Sequence, residues 1–181
     1  MDTLHIDSKS RSLPPDWVTG FVNGEGCFYV GLSKGWRMPP VKAHAATNPK
    51  LKVGIEVRPS FSVSQGSASK DVVAKLAQYF NHGEDRLRLD RYILKYETRS
   101  ANHIRDQVIP HFDRYPLRSQ KQGDFLKLRR VMEMMNRSEY LTKDGLREII
   151  SIAYSMNLDP NGQSRRNEPI EHWLEMVDGV S

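Results

Sequence analysis

Two features of this sequence can carry chemistry. The first is the run Pro14-Pro15-Asp16-Trp17-Val18-Thr19-Gly20-Phe21-Val22-Asn23-Gly24-Glu25-Gly26, an apolar stretch with glycines four residues apart that ends in a carboxylate. The second is a concentration of positive charge. Residues 28–99 hold thirteen Lys and Arg against six Asp and Glu, a net of +7, whereas residues 1–27 carry −2 and residues 100–181 carry zero. The whole-chain charge of +5 is by itself a weak sign of a polyanionic partner. Its confinement to one segment says more, because cationic side chains interleaved with Ser and Tyr suit phosphates and base edges. By charge alone, the solvated face of an ordinary α+β domain would look the same. Other chemistries lack their residues. The single cysteine, Cys27, excludes an internal disulfide or a cysteine-based zinc site, and it lacks an evident His/Asn arrangement for a nucleophile. The six histidines show no paired metal-ligand spacing, and His111 reads as structural or exposed. Trp17 and the Met132, Met134, Met135 cluster read as core packing.

The elements that must position these groups follow from periodicity. Prolines at 14 and 15 and an acid at 16 start a helix over Asp16 to Gly24 or Glu25, with Gly26 as its C-cap. Each helical glycine costs roughly 1 kcal/mol against alanine, so Gly20 and Gly24 on one face predict that another backbone comes very close there. Alternation predicts a strand over Cys27 to Ser33, with Phe28, Val30 and Leu32 on one face. A loop with Lys34, Arg37, Lys42 and Lys50 follows, then a strand from Leu51 to Gln65. Pro59 predicts a bulge or an edge position in that strand. A helix over Ser69 to Asn81 carries the stripe Val72, Val73, Leu76, Ala77 and Phe80. Arg86 to Asp90 and Tyr92 to Arg99 read as a hairpin. There Leu87, Leu89, Tyr92, Leu94 and Tyr96 are expected inward, and Arg86, Arg88, Arg91, Ile93, Lys95 and Glu97 outward. Helices follow at about Ala101 to Tyr115, Gln120 to Asn136, Lys143 to Met156 and Pro169 to Val177, with Asp159 to Asn167 as a polar linker. The order is α-β-β-α-β-β-α and then helices: an α+β fold whose antiparallel sheet has one face under helices and the other open.

The chain is 181 residues long, enough for one domain with a sizeable core. Residues 1–157 are expected to form it, with 1–12 as a flexible arm and 158–181 as a polar linker and short C-terminal helix. Mean hydropathy is −0.61, and no stretch has the run of apolar residues that a membrane span needs. Met1 to His5 lacks a basic region leading into an apolar one, so the expected setting is intracellular, in a bacterial cytoplasm or an organelle.

The segment Val18-Thr19-Gly20-Phe21-Val22-Asn23-Gly24-Glu25-Gly26-Cys27-Phe28 resembles the LAGLIDADG motif of homing endonucleases. The element order over about residues 13–116 supports the resemblance. So do the strand end Phe61-Ser62-Val63-Ser64-Gln65 and the segment Tyr115-Pro116-Leu117 before the basic stretch Arg118 to Lys121. The resemblance implies that two copies of the motif helix pack together through Trp17, Gly20, Phe21 and Gly24. It implies Glu25 and Gly24 as metal ligands, Glu25, Gln65 and Lys121 as catalytic residues, and Mg2+ as cofactor, with Mn2+ or Ca2+ able to substitute for binding. Asn23 departs from the aspartate common there, and Ser119 stands where some relatives have lysine, which leaves Lys121 or Arg118 to supply the cation.

With one motif in the chain, the resemblance implies a homodimer that hydrolyses one phosphodiester in each strand of a long, pseudo-palindromic duplex across the minor groove. Short 3′ overhangs would be left, and an intron would encode the protein. The sheet geometry of the family and the alternation together give the DNA contacts Tyr29, Ser33, Lys34, Arg37, Lys52, Glu56, Arg58, Arg86, Arg88, Arg91, Ile93 and Lys95. Backbone phosphates would fall to Arg129, Arg130, Arg137, Lys143, Arg165 and Arg166. The alternatives are a non-cleaving nucleic-acid binder, such as an RNA maturase or degenerate endonuclease, and a small α+β protein with no nucleic-acid role. The last leaves the two helical glycines and the charge segregation unexplained.

Overall fold

The computed structural model describes residues 13–35, 54–82 and 86–179. The expected arm, most of the loop after the first strand with Arg37, Lys42 and Lys50, and the position Lys52 lie outside the described residues. Helix α1 (Pro15–Glu25) leads straight into β1 (Gly26–Lys34). Then come β2 (Ile55–Gly66), α2 (Lys70–Tyr79), β3 (Leu87–Asp90) and β4 (Ile93–Thr98). The third helical region is α3 (Ala101–His103), a π-helical turn (Ile104–Val108) and α4 (Ile109–Arg114). Helices α5 (Lys121–Asn136), α6 (Lys143–Tyr154) and α7 (Ile170–Asp178) complete the chain. The α-β-β-α-β-β-α order and the helices after it are as the sequence implies.

The strands form one antiparallel sheet in the order β1-β2-β4-β3. The period-2 pattern sets its faces: Phe28, Val30, Ile55, Val57, Phe61, Val63, Leu94 and Tyr96 are buried against the helices. Phe28 anchors this layer, stacking on Phe61 and meeting Phe112 and Phe125 edge-on. Of the two readings of Pro59, the bulge does not form. Pro59 holds its register opposite Val30, beyond Phe61 where the pairing to β4 ends, so this part of β2 has a strand neighbour on one side only.

The β3–β4 hairpin corrects an expectation. Leu89 and Tyr92, expected inward, are 65% and 79% exposed. Leu89 pairs with buried Leu94, but β3 is a four-residue edge strand, and its turn through left-handed Arg91 projects past the helical layer. The third helix is likewise not uniform. Pro110 offers no N–H to the carbonyl four residues back, and the helix widens into the π turn whose closing bond runs from Ile109 N–H to the Ile104 carbonyl.

The C-terminal part is tied to the sheet. Trp173 and Val177 of α7 belong to the same buried core. Asn157 Nδ2 donates to the Phe28 carbonyl (2.7 Å) and Arg166 Nη2 to the Val30 carbonyl (2.7 Å), so both cover the outer edge of β1.

Candidate functional site

Helix α1 presents two different faces. Val18, Thr19 and Val22 are buried in the domain, whereas Trp17, Gly20 and Gly24 are exposed. A Cβ built at Gly20 or Gly24 would meet nothing within 4 Å. The close approach that the glycines predict is therefore not made by any described element of this chain. Trp17 stacks on Phe21 beside them, with ring centroids 5.2 Å apart. A groove of about 450 Å3 runs past Gly20 and is lined also by Asp16, Asn23 and Arg118.

The end of α1 is held in three ways. The first is Gly26, the C-cap as expected, in an extended conformation with φ −81° and ψ 157°. Glycine is needed there for space: a Cβ would lie 2.4 Å from Val22 Cγ1 and 2.8 Å from the Val22 carbonyl. The second is a buried hydrogen-bond chain. Thr19 Oγ1 donates to the Tyr115 carbonyl (3.1 Å), so it can only accept from His111 Nε2 (3.1 Å). His111 Nδ1 then accepts from the Tyr79 hydroxyl (3.0 Å), which assigns the Nε2–H tautomer. Burial pushes the His111 pKa down to about 4, so the ring is neutral. The chain fastens α1 to α2 and α4, giving the structural reading of His111 a definite job.

The third is Lys121, whose Nζ donates to the Gly24 carbonyl (2.6 Å) and the Val22 carbonyl (3.4 Å). A cation there also complements the negative end of the helix. Burial lowers the Lys121 pKa, while Cys27, Glu25 and Asp124 raise it. Nearby, Asn23 Oδ1 accepts from Arg118 N–H (3.3 Å) and the Ser119 hydroxyl (2.9 Å), so it pins the loop that delivers Lys121. Of the two basic candidates, Lys121 is the one at the helix end.

The structure thus brings Gly24, Glu25 and Lys121 together at one corner. Gln65 lies at the same end of the sheet, two residues beyond Val63, the partner of Gly26. Its side-chain oxygen accepts from the N–H of Gly66 (2.9 Å). Asp124 was missed by the sequence reading, though its spacing of three from Lys121 on one helix was the available signal. It lies within electrostatic reach of Lys121 and Cys27 and accepts from Asn157 N–H (3.3 Å).

The donor chemistry fits a hard divalent cation in part. Glu25 supplies a carboxylate and Gly24 a carbonyl, the oxygen donors that Mg2+ or Ca2+ takes. One lone pair of the Gly24 oxygen already faces Lys121, which leaves the other. Among the described residues, no group of three or more His, Cys, Asp or Glu could enclose a metal ion. The remaining oxygens would have to come from outside one copy of the chain.

The open face of the sheet carries most of the expected DNA contacts. Tyr29 and Ser33 lie on β1, Glu56 and Arg58 on β2, Arg88 on β3, and Ile93 and Lys95 on β4. Arg58 Nη2 donates to Glu56 Oε2 (2.7 Å), and this bond is the main cause holding the Glu56 pKa below its ordinary value. Arg91 sits at the hairpin turn. Lys34, the last residue of β1, pairs with buried Ile55 and so falls on the opposite parity to Ser33. Arg86 is drawn toward the His82–Tyr96–His103 group, where its charge helps hold His103 neutral.

Several phosphate candidates are engaged elsewhere. Arg129 pairs with Asp113 and Glu133, Arg130 with Glu148, and Arg137 with Glu139. Arg166 is turned into the protein. Lys143 and Arg165 are exposed.

A sheet of this topology, entered from a helix with a bare glycine face and a carboxylate at its tip, defines the architecture of the LAGLIDADG endonucleases. The family model described as LAGLIDADG endonuclease matches residues 18–132, and the chain belongs to this family. The crystal structure of a homing endonuclease, I-TnaI, superposes with a TM-score of 0.74 at 34% identity, covering 92% of this chain and 99% of that one. The I-LtrWI LAGLIDADG homing endonuclease bound to target DNA gives a TM-score of 0.69 at 26% identity, covering 87% of this chain but 48% of that one. Among curated relatives, a probable intron-encoded endonuclease 2 of Neurospora crassa is 27% identical over 154 residues, 84% of this chain and 31% of its own length. A 50.9 kDa protein in ND4 intron 1 of Podospora anserina is 30% identical over 140 residues, 73% of this chain and 26% of its own length. The chain therefore spans less than a third of these curated relatives. Among the described residues, no helix is long and apolar enough to cross a membrane.

Proposed function

We propose that this chain is a site-specific, intron-encoded DNA endonuclease that acts as a homodimer on a long pseudo-palindromic duplex. The observation that carries this reading is the pairing of a bare Gly20/Gly24 face with a carboxylate at the end of the same helix. A second copy packed on that face brings two Glu25 side chains toward one axis. Two facts from the relatives support the count. The chain covers nearly all of I-TnaI but about half of the I-LtrWI chain bound to target DNA, and I-SmaMI, of which it covers 58%, is described with an uncleaved DNA target in the presence of calcium ions.

In the mechanism we propose, the open sheets of the two copies lie in successive stretches of major groove, and the scissile phosphates fall beside Glu25. Glu25 and the Gly24 carbonyl, together with phosphate and water oxygens, would hold Mg2+, which would supply charge neutralisation and a more acidic water. Lys121 places a fixed positive charge at the helix end, where negative charge develops on phosphorus-bound oxygen. Gln65 orients water at the strand end. Hydrolysis of one bond per strand leaves short 3′ overhangs.

The test is incubation of the purified chain with a randomised duplex library and Mg2+, followed by sequencing of cut ends. Glu25→Gln is expected to keep DNA affinity and lose cleavage. Undiminished cutting by that variant removes Glu25 from the mechanism, and retention without any wild-type cutting favours a non-cleaving binder.

A further inference from the structure

Arg166 is half-buried and forms no ion pair among the described residues. Its Nη2 donates to the carbonyls of Val30 (2.7 Å) and Ala153 (2.8 Å), and its Nη1 donates to the hydroxyl oxygen of Tyr29 (3.0 Å). The guanidinium carbon stands 4.5 Å from the Tyr29 ring centroid and 5.1 Å from that of Tyr154. Nε is buried without a hydrogen-bond partner among the described residues. Burial pushes the Arg166 pKa down, and Tyr29 and Tyr154 pull it up. A guanidinium that makes these three hydrogen bonds while lying against two aromatic rings is fixed in place between β1 and α6.

The consequence falls on Tyr29. Its ring lies on the open face of β1, where a Cβ at Gly31 would sit 3.4 Å from Tyr29 Cε1, and the residue stays 37% exposed. A phenol can donate or accept by turning its O–H. Here Arg166 cannot accept, so the Tyr29 oxygen takes the guanidinium proton and its own proton must point away, toward solvent and whatever occupies the open face.

We propose that Arg166 is a positioning residue for sequence recognition: it locks Tyr29 as a hydrogen-bond donor that selects an acceptor on a base edge in the major groove. This rests on the reading of the open sheet face as the DNA-binding surface. The acceptor class is purine N7, guanine O6 or thymine O4, and the amino groups of adenine and cytosine are disfavoured against it. A phosphate oxygen offers the same acceptor chemistry but carries no sequence information.

The experiment is selection of bound duplexes from a randomised library by the full chain in Ca2+, giving a preference at each position. Wild type is expected to show at least one position per half-site that favours acceptor bases. Tyr29→Phe is expected to lose about 3- to 10-fold of that preference, the scale of one hydrogen bond, at that position only. Arg166→Met and Arg166→Lys are expected to relax the same position, because the freed hydroxyl can then also accept; lysine lacks the planar fork that makes three bonds at once. Tyr29→Phe combined with either change is expected to look like Tyr29→Phe alone. The inference is overturned if the Arg166 variants lower the melting temperature but leave the profile unchanged, since Arg166 is then only a staple. It is also overturned if Tyr29→Phe weakens all sequences alike, the result of a phosphate contact. A wild-type chain that binds no duplex overturns the DNA-binding reading itself, whereas sequence-selective binding indifferent to Tyr29 and Arg166 overturns this inference alone.

Discussion

Replacing Gly20 and Gly24 by alanine should have opposite effects on one copy of the chain and on two. Within one copy, neither new Cβ meets an atom within 4 Å. Each glycine in a helix costs about 0.5 to 1 kcal/mol relative to alanine, so the double variant should be more stable by about 1 to 2 kcal/mol. For a chain of this size that raises the melting temperature by roughly 2 to 8 °C. Between two copies, the same methyl groups enter a contact that needs close backbones. Overpacking costs about 1 to 3 kcal/mol per site, and two-fold symmetry repeats each site. A total of even 2 kcal/mol weakens the dimer by about 30-fold. The assay pairs thermal melts at the lowest usable protein concentration with sedimentation across a concentration series. The expected result is a higher melting point for the dilute variant together with a dissociation constant raised at least about 30-fold. An unchanged dimer affinity refutes the glycine face as the interface. A lower melting point for the dilute monomer refutes the claim that the face is bare.

Three other outcomes follow from the same geometry. Gly26→Ala should destabilise the fold by about 1 to 3 kcal/mol in urea titration, because its Cβ runs into the Val22 side chain and carbonyl; an unchanged midpoint means the helix end relaxes freely. Thr19→Val should cost about 1 to 3 kcal/mol, since it strips a donor from the part-buried Tyr115 carbonyl and a partner from buried His111, and its measurement is the same titration. Burial holds His111 and His103 at about 4, with His82 adding to the effect on His103, while the unfolded chain titrates them near 6.5. Between those values the unfolded chain binds more protons, so this contribution to stability is complete above about pH 6.5. It is lost as pH falls toward about 4, by at most about 1.4 kcal/mol per pH unit for buried His111 and by less for the partly exposed His103, where solvent screens the charge, and a flat urea midpoint across the window contradicts it.

The parts that periodicity controls were legible in the sequence. The motif helix, the alternating strands and the apolar stripe of α2 each bury a face set by a fixed repeat, and they lie where the pattern puts them, except that the second strand, expected from Leu51, begins at Ile55 because Gly54 takes a left-handed φ of 70°. The misplacements come from tertiary reach. Leu89 keeps the inward parity of its strand yet is exposed, because parity does not tell how far the helical layer extends. Arg129 and Arg130 look in sequence like cations open to phosphate, but Asp113 and Glu148 come to them only through folding, whereas Glu133 lies four residues along the same helix from Arg129. At the site, Glu25 and Lys121 are 96 positions apart, and the resemblance proposed both. That Lys121 reaches the Gly24 carbonyl through a loop pinned by Asn23 depends on a side-chain contact that no local pattern encodes. The departure at Asn23 from the usual aspartate leaves this task intact, since both bonds are accepted by Oδ1, an acceptor that a carboxylate also offers.

The seam formed by Asn157 and Arg166 on β1 bears on solubility. A nine-residue edge strand with free carbonyls is a template on which another chain can add, and the dimer proposed above requires pairing through a helix without pairing through the sheet. The opposite edge, β3, is only four residues long and carries Arg88 and Asp90, which discourages growth there. With the residues from Asn157 onward in place, sheet growth is blocked at β1. A chain ending near Tyr154 would keep the motif helix and the sheet but leave that edge open, and fibrillar or amorphous association would compete with the proposed dimer.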